Sequence, residues 1–294
     1  TASNGHYTIG TIGGNPNSST DDNKKMLFGH PGGGTSKTTI VVGESINEFT
    51  SSNVTYDADG SKSVSKASYD GVDVTQELSI IENSATGRDD VVKIKYIVKN
   101  DTEYAKQVGI RIMMDTMLGG NDAAPFRVNG SDVTTETVYS GSNIPQIWQA
   151  FDSATNPGVV AQGTFYKSGD RKPDKVQFTN WGNVTSTLWD YVTQPGRSNG
   201  DSAVSITWNK DTFTSGETRE FVTYYGLSEL EQNLIPPLAL SVYADNKVSI
   251  SNFNYDDINA NVYLDNIGDG DATDVSIKIT ADNLEPKYGT SLTH

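Results

Sequence analysis

The sequence predicts an all-β protein, a large antiparallel β-sandwich followed by a smaller immunoglobulin-like β unit, the two forming separate lobes. Three observations carry this expectation. Apolar residues alternate with polar ones at a period of two along most of the chain, the pattern of a strand with one buried face. Turn dipeptides such as Asp59-Gly60, Asp70-Gly71, Asn100-Asp101 and Asn129-Gly130 punctuate the alternation. They separate strand centres by roughly ten to fifteen residues, the spacing of an antiparallel sandwich. No long helical periodicity competes: the best helical stretch, Leu227 to Leu234, is about two turns and is closed by Pro236-Pro237.

Taken in order, the stretch Gly5 to Gly34 is rich in Gly, Asn and Pro and reads as a long loop wrapping the sandwich. Val74, Leu78 and Ile80 share one face of the next clear strand, with Gln76 as its polar exception. Val92, Ile94, Tyr96 and Val98 form the buried row of another, and Val108, Ile110, Ile112 and Met114 that of a third. Each should present one buried and one wetter face. Pro236-Pro237 marks the domain boundary, giving a large domain over residues 1–236 and a small one over 237–294 packed on the first. In the latter, Leu238-Leu240-Val242, Val248-Ile250, Ile258-Ala260-Val262-Leu264 and Val275-Ile277-Ile279 alternate as short strands, fewer than the ~7 of a complete immunoglobulin domain.

Composition narrows function. The net charge is −15, with 22 basic residues scattered among 37 acidic ones, so nucleic acid and anionic membrane surfaces are poor partners. A neutral ligand meets no such repulsion. The absence of cysteine removes disulfides, thiolate metal sites and cysteine nucleophiles. No apolar run reaches the ~20 residues of a membrane-spanning helix. His6, His30 and His294 lack metal-binding spacing, and neither a Gly-x-Ser-x-Gly elbow nor a phosphate-cradling glycine loop occurs. An acidic pair for glycoside hydrolysis cannot be singled out from so many carboxylates. A binding protein is therefore expected rather than an enzyme.

The tryptophans carry the most information. Trp208 shares parity with Val204 and Ile206 and reads as core. Trp181 falls with Lys175, Gln177 and Thr179, opposite Val176 and Phe178, on the wet face if the strand extends that far. Trp189 and Tyr191 fall opposite Leu188 and Val192, so two aromatics a strand repeat apart would form a platform. Trp148 has ambiguous parity and serves either as core or as platform. Sugar rings rest their axial C–H faces on such planes while amides and charges take the hydroxyls. Trp148, Trp181, Trp189, Tyr191, Asn180, Asn183 and Asp190 are thus the candidate ligand-binding residues. The competing reading buries Trp181 and Trp189 in the core of a second sheet face. No resident cofactor or metal is expected. Calcium is the one alternative, at Asp115, Asn121 and Asp122 or at Asp265, Asp269 and Asp271, where the chain shows only part of the six to eight oxygens that the ion takes.

Several phrases occur together: Gly5-His6-Tyr7-Thr8-Ile9-Gly10-Thr11, Leu27-Phe28-Gly29-His30-Pro31, Asp115-Thr116-Met117-Leu118-Gly119-Gly120-Asn121-Asp122, Asp201-Ser202-Ala203-Val204 and Tyr224-Tyr225-Gly226-Leu227. In these the chain resembles the starch-binding β-sandwich modules of scaffoldin and starch adherence system proteins of the Ruminococcus bromii amylosome. The resemblance implies a non-catalytic module with a two-lobed groove for α-1,4-glucan, on a secreted or cell-surface complex with other modules as partners. A spacer or adhesin module without a glycan ligand is the alternative.

Overall fold

The computed structural model describes residues 1–228, except 15, 17, 18 and 84–86, and beyond them the strand segments 238–244, 250–251, 254–255 and 260–266. Strands run in the order β1 (Lys37–Val42), β2 (Ser45–Glu48), β3 (Asn53–Tyr56), β4 (Lys62–Tyr69), β5 (Val72–Asn83), β6 (Arg88–Asn100), β7 (Lys106–Asp115), β8 (Phe126–Val128), β9 (Ser131–Val133) and β10 (Thr137–Ser140). They continue with β11 (Ile147–Phe151), β12 (Val160–Thr164), β13 (Lys175–Asn180), the short helix α1 (Trp181–Val184), β14 (Ser202–Phe213) and β15 (Thr218–Leu227). Two antiparallel sheets result. One has six strands ordered β10-β13-β14-β7-β1-β2, the other nine ordered β3-β4-β5-β6-β15-β12-β11-β8-β9. The large antiparallel sandwich expected from the alternation is the observed architecture.

Pairing turns the period of two into a core. Ile110, Ile112 and Met114 of β7 stand opposite Trp208, Ile206 and Val204 of β14, and all are buried between the sheets. On the facing sheet, Val74, Gln76 and Leu78 oppose Val98, Tyr96 and Ile94. Gln76 is a polar residue in an apolar row because its Nε2 donates to the Tyr96 hydroxyl at 2.7 Å. That hydroxyl also meets Thr38 Oγ1 of the other sheet at 2.6 Å, so a small polar network staples the two layers. Burial raises the Tyr96 hydroxyl pKa, keeping the group neutral. The hairpins follow turn chemistry: Asp70-Gly71 and Asn129-Gly130 both take positive φ at each residue, the type I′ conformation that matches strand twist. The N-terminal stretch packs onto the sandwich through buried Tyr7, Ile9, Met26 and Leu27.

One expectation fails on the outer side of the six-stranded sheet. Arg111 and Met113, Ser205 and Thr207, and Gln177 and Thr179 point away from the sandwich core, yet all are buried. Residues 181–201 fold back over this face and make it a third layer, so strand parity does not separate wet from dry there.

Beyond residue 228, β16 (Leu238–Ala244) pairs antiparallel with β19 (Ala260–Asn266), and β17 (Ile250–Ser251) with β18 (Asn254–Tyr255). The Pro236-Pro237 boundary, most of the helical stretch proposed for Leu227 to Leu234, and Val275 to Ile279 lie outside the described residues. Leu227 itself ends β15.

Candidate functional site

The third layer begins where β13 ends. Asn180 caps α1: its side chain accepts from the Asn183 N–H at 3.2 Å and its amide donates to the Gly200 carbonyl. Two opposite charges then hold the layer down. From β7, buried Arg111 donates through Nε to Ser205 Oγ at 2.9 Å and through its terminal nitrogens to the carbonyls of Val184 (2.9 Å), Thr187 (2.8 Å) and Trp189 (3.2 Å). Burial lowers its pKa to about 10, which leaves it charged at neutral pH. From the loop before β10, buried Glu136 accepts from Asn183 Nδ2, the Tyr191 hydroxyl and the Gln194 N–H, each at 2.8 Å. Desolvation pushes the Glu136 carboxyl upward, but these donors outweigh it and hold the pKa below the ordinary glutamate value.

On this scaffold six of the seven predicted ligand-binding residues come together, and Trp148 does not. Trp148 is 1% exposed and lies in the core, stacked on Tyr225 at 5.2 Å between ring centroids and on Phe165 at 6.0 Å. It has no free face for a ligand, which corrects its place in the candidate site. The parity of the 188–192 segment is right but its polarity is reversed. Leu188 and Val192 are 37% and 74% exposed, whereas Tyr191 is buried with its hydroxyl on Glu136. The segment is no sheet strand; it lies on a face already formed, and the larger aromatic area is what that face buries. Trp181 is half-buried against Met113, Val184, Tyr191 and Ala203. Trp189 is half-buried over β7 at Gly109, where a Cβ would stand 2.6 Å from its ring. The amides of Asn180 and Asn183 are engaged within the layer, while Asp190 is exposed and pairs with Lys175 Nζ at 3.3 Å.

The suggested calcium run is rearranged as well. Asn121 turns away, its Nδ2 donating to the Asp152 carbonyl at 2.9 Å and its Oδ1 capping the Ala123 N–H. Asp115 and Asp122 instead approach Asp201. Burial raises the Asp115 pKa to about 7, with Asp201 and Asp122 adding to the shift and the Thr35 hydroxyl opposing it. Of the second run, Asp265 lies in β19, and Asp269 and Asp271 lie outside the described residues.

Sequence reasoning missed an open cleft of about 460 Å³, where the N-terminal stretch crosses the end of the nine-stranded sheet. Tyr56, Ile12 and Ile80 stand exposed on it, among the hydroxyls of Thr8, Ser61 and Ser79. Among the described residues no Asp, Glu, Lys or Arg lines it. His30 at its wall sits 3.2 Å from Thr8 Oγ1, and burial lowers its pKa, leaving the ring neutral at pH 7. Parity placed Ile80 with Val74 and Leu78, but its side chain stands exposed on the cleft.

Fold and site together define an all-β antiparallel sandwich with a surface cleft that no Asp, Glu, Lys or Arg among the described residues lines. No family model and no curated protein matches the sequence. Among solved structures the chain is similar to a galactose mutarotase-like protein from Lactobacillus casei, at 8% identity over 62% of this chain and 74% of that one, with a TM-score of 0.38. A polysaccharide lyase is 11% identical over 82% of this chain and 32% of its own, with a TM-score of 0.39. A heparan sulfate lyase from Pedobacter heparinus is 8% identical over 74% of this chain and 28% of its own, with a TM-score of 0.33.

Proposed function

We propose that this chain is a non-catalytic carbohydrate-binding module that takes α-1,4-glucan, carried on a secreted or cell-surface protein beside other modules. The observation that supports it is the chemistry of the cleft: an exposed tyrosine ring and aliphatic side chains surrounded by neutral hydroxyls, with no Asp, Glu, Lys or Arg among the described residues, on a protein of net charge −15. Such a surface suits a neutral polyhydroxylated ligand, whose C–H faces need apolar area and whose hydroxyls find partners in the surrounding hydroxyl groups. The glucan source rests on the resemblance to starch-binding modules. A second contact at Trp181 and Trp189 is favoured by their half-buried rings, held in fixed orientation by the Arg111 and Glu136 clamps.

Electrophoresis in native gels containing amylopectin tests the reading. Wild type should be retarded, Tyr56→Ala should lose most of the retardation, and Trp189→Ala should lose part of it. A wild type that runs unretarded in amylopectin, pullulan, xylan and cellulose derivatives contradicts a glycan ligand and favours a spacer or adhesin. Release of reducing sugar from soluble starch contradicts the non-catalytic assignment.

A further inference from the structure

Three acidic side chains from separate parts of the chain meet at one end of the six-stranded sheet. Asp115 ends β7, Asp122 follows in the next loop, and Asp201 directly precedes β14. One carboxylate oxygen from each lies within 4.8 Å of those from the other two. Two oxygens on one calcium ion are at most about twice a ~2.4 Å bond apart, so this spacing suits a shared ion.

Acidic clusters on surfaces are common and usually solvated, but this one differs in a specific way. Asp115 is 2% exposed, and its Oδ1 has no hydrogen-bond donor although Oδ2 receives the Thr35 hydroxyl. Oδ1 of Asp122 is likewise buried without a donor. A buried carboxylate oxygen is ordinarily satisfied, and three carboxylates this close repel one another. A cation relieves both penalties together. All three groups offer hard oxygen and no nitrogen or sulfur donor, which selects calcium or magnesium over zinc or copper.

The backbone already draws the same segments together. Ser202 N–H donates to the Asp122 carbonyl at 2.8 Å, and Thr116 N–H donates to the Ser202 carbonyl at 2.9 Å. Asp201 itself sits at φ +62°, a left-handed conformation that a non-glycine residue seldom takes. We propose that Asp115, Asp122 and Asp201 form a calcium site that ties the end of β7 and its following loop to the start of β14. Water and backbone oxygens would complete the shell, since three carboxylates supply only part of it. Of the two hard cations, calcium is favoured because it tolerates an irregular shell and sheds water more readily than magnesium. The site is independent of the glycan cleft.

Calorimetric titration of the EDTA-treated chain with calcium chloride tests this. One ion should bind with a dissociation constant in or below the ~1 mM range of extracellular modules, and magnesium should bind more weakly. Asp122→Asn and Asp201→Asn, both less buried than Asp115, should each weaken calcium binding about tenfold or more while leaving the far-ultraviolet circular dichroism unchanged. Calcium should also raise the melting midpoint of wild type and do so less in both variants. No binding heat and no melting shift in wild type would overturn the proposal. Binding equally strong in wild type and both folded variants would overturn it too, by placing the ion elsewhere.

Discussion

Arg111 shows how a single residue can organise a layer. Its position in a strand of Val, Ile and Met looks like the solvent side of an alternating pattern, but its guanidinium is buried and bound to three carbonyls and a hydroxyl. Arg111→Ala removes the donors and leaves carbonyls beneath the layer unpaired. The expected loss is about 3–5 kcal/mol, read from urea denaturation, the range for breaking a buried charged network. Arg111→Lys should recover little, since an ammonium cannot reproduce the planar fork. Glu136 gives a pH-dependent counterpart. Its folded-state pKa lies below the ordinary value, so its contribution to stability is present above that value and is lost as pH falls through the folded one. Glu136→Gln should therefore flatten the acid limb of the stability curve; a limb unchanged in slope would show that the clamp is not ionised. Trp148→Ala should destabilise by about 3–5 kcal/mol, as for other buried aromatics, and any loss of glycan binding should follow the loss of fold.

At the level of strands and segments, alternation identified the inward rows of β5, β6, β7 and β14, with Ile80 of β5 as an exposed exception, because core burial acts on every second side chain there. The same logic failed at Gln177, Thr179 and Trp181. It assumes that one face of a strand meets water, and here a later stretch of chain covers that face. For Trp189 and Tyr191, periodicity sorted side chains into two sets correctly but could not say which set the protein buries, a choice made by Arg111 from β7 and Glu136 from the loop before β10. The glycine at 109 was the one local clue: a strand interior without a side chain often marks a close approach, here the Trp189 ring. Gly109→Ala should push that ring outward, changing the near-ultraviolet circular dichroism and the tryptophan emission with little effect on the far-ultraviolet spectrum. Unchanged tryptophan signals would separate Trp189 from the sheet.

Over the whole molecule the net charge is −15, while among the described residues no Asp or Glu lines the cleft beside Tyr56. No motif spells that cleft in the sequence, since its walls come from residues 1, 7–10, 12, 30–31, 56, 60–61, 63, 78–80 and 92, brought together only by the sheet and the N-terminal crossing. A neutral ligand held by apolar contact should bind with little dependence on salt, unlike a partner held by surface charge. Removing the Tyr56 ring should weaken binding about tenfold, the equivalent of about 1.4 kcal/mol.

Nuclear magnetic resonance titration with a soluble malto-oligosaccharide probes this most directly, because it locates the ligand as well as detecting it. Saturable shifts should centre on Tyr56, Ile12, Ile80 and His30, with smaller changes at the indoles of Trp181 and Trp189 and none at Trp148. A spectrum unmoved by the sugar, or shifts that leave the Tyr56 cleft untouched, would contradict the assignment.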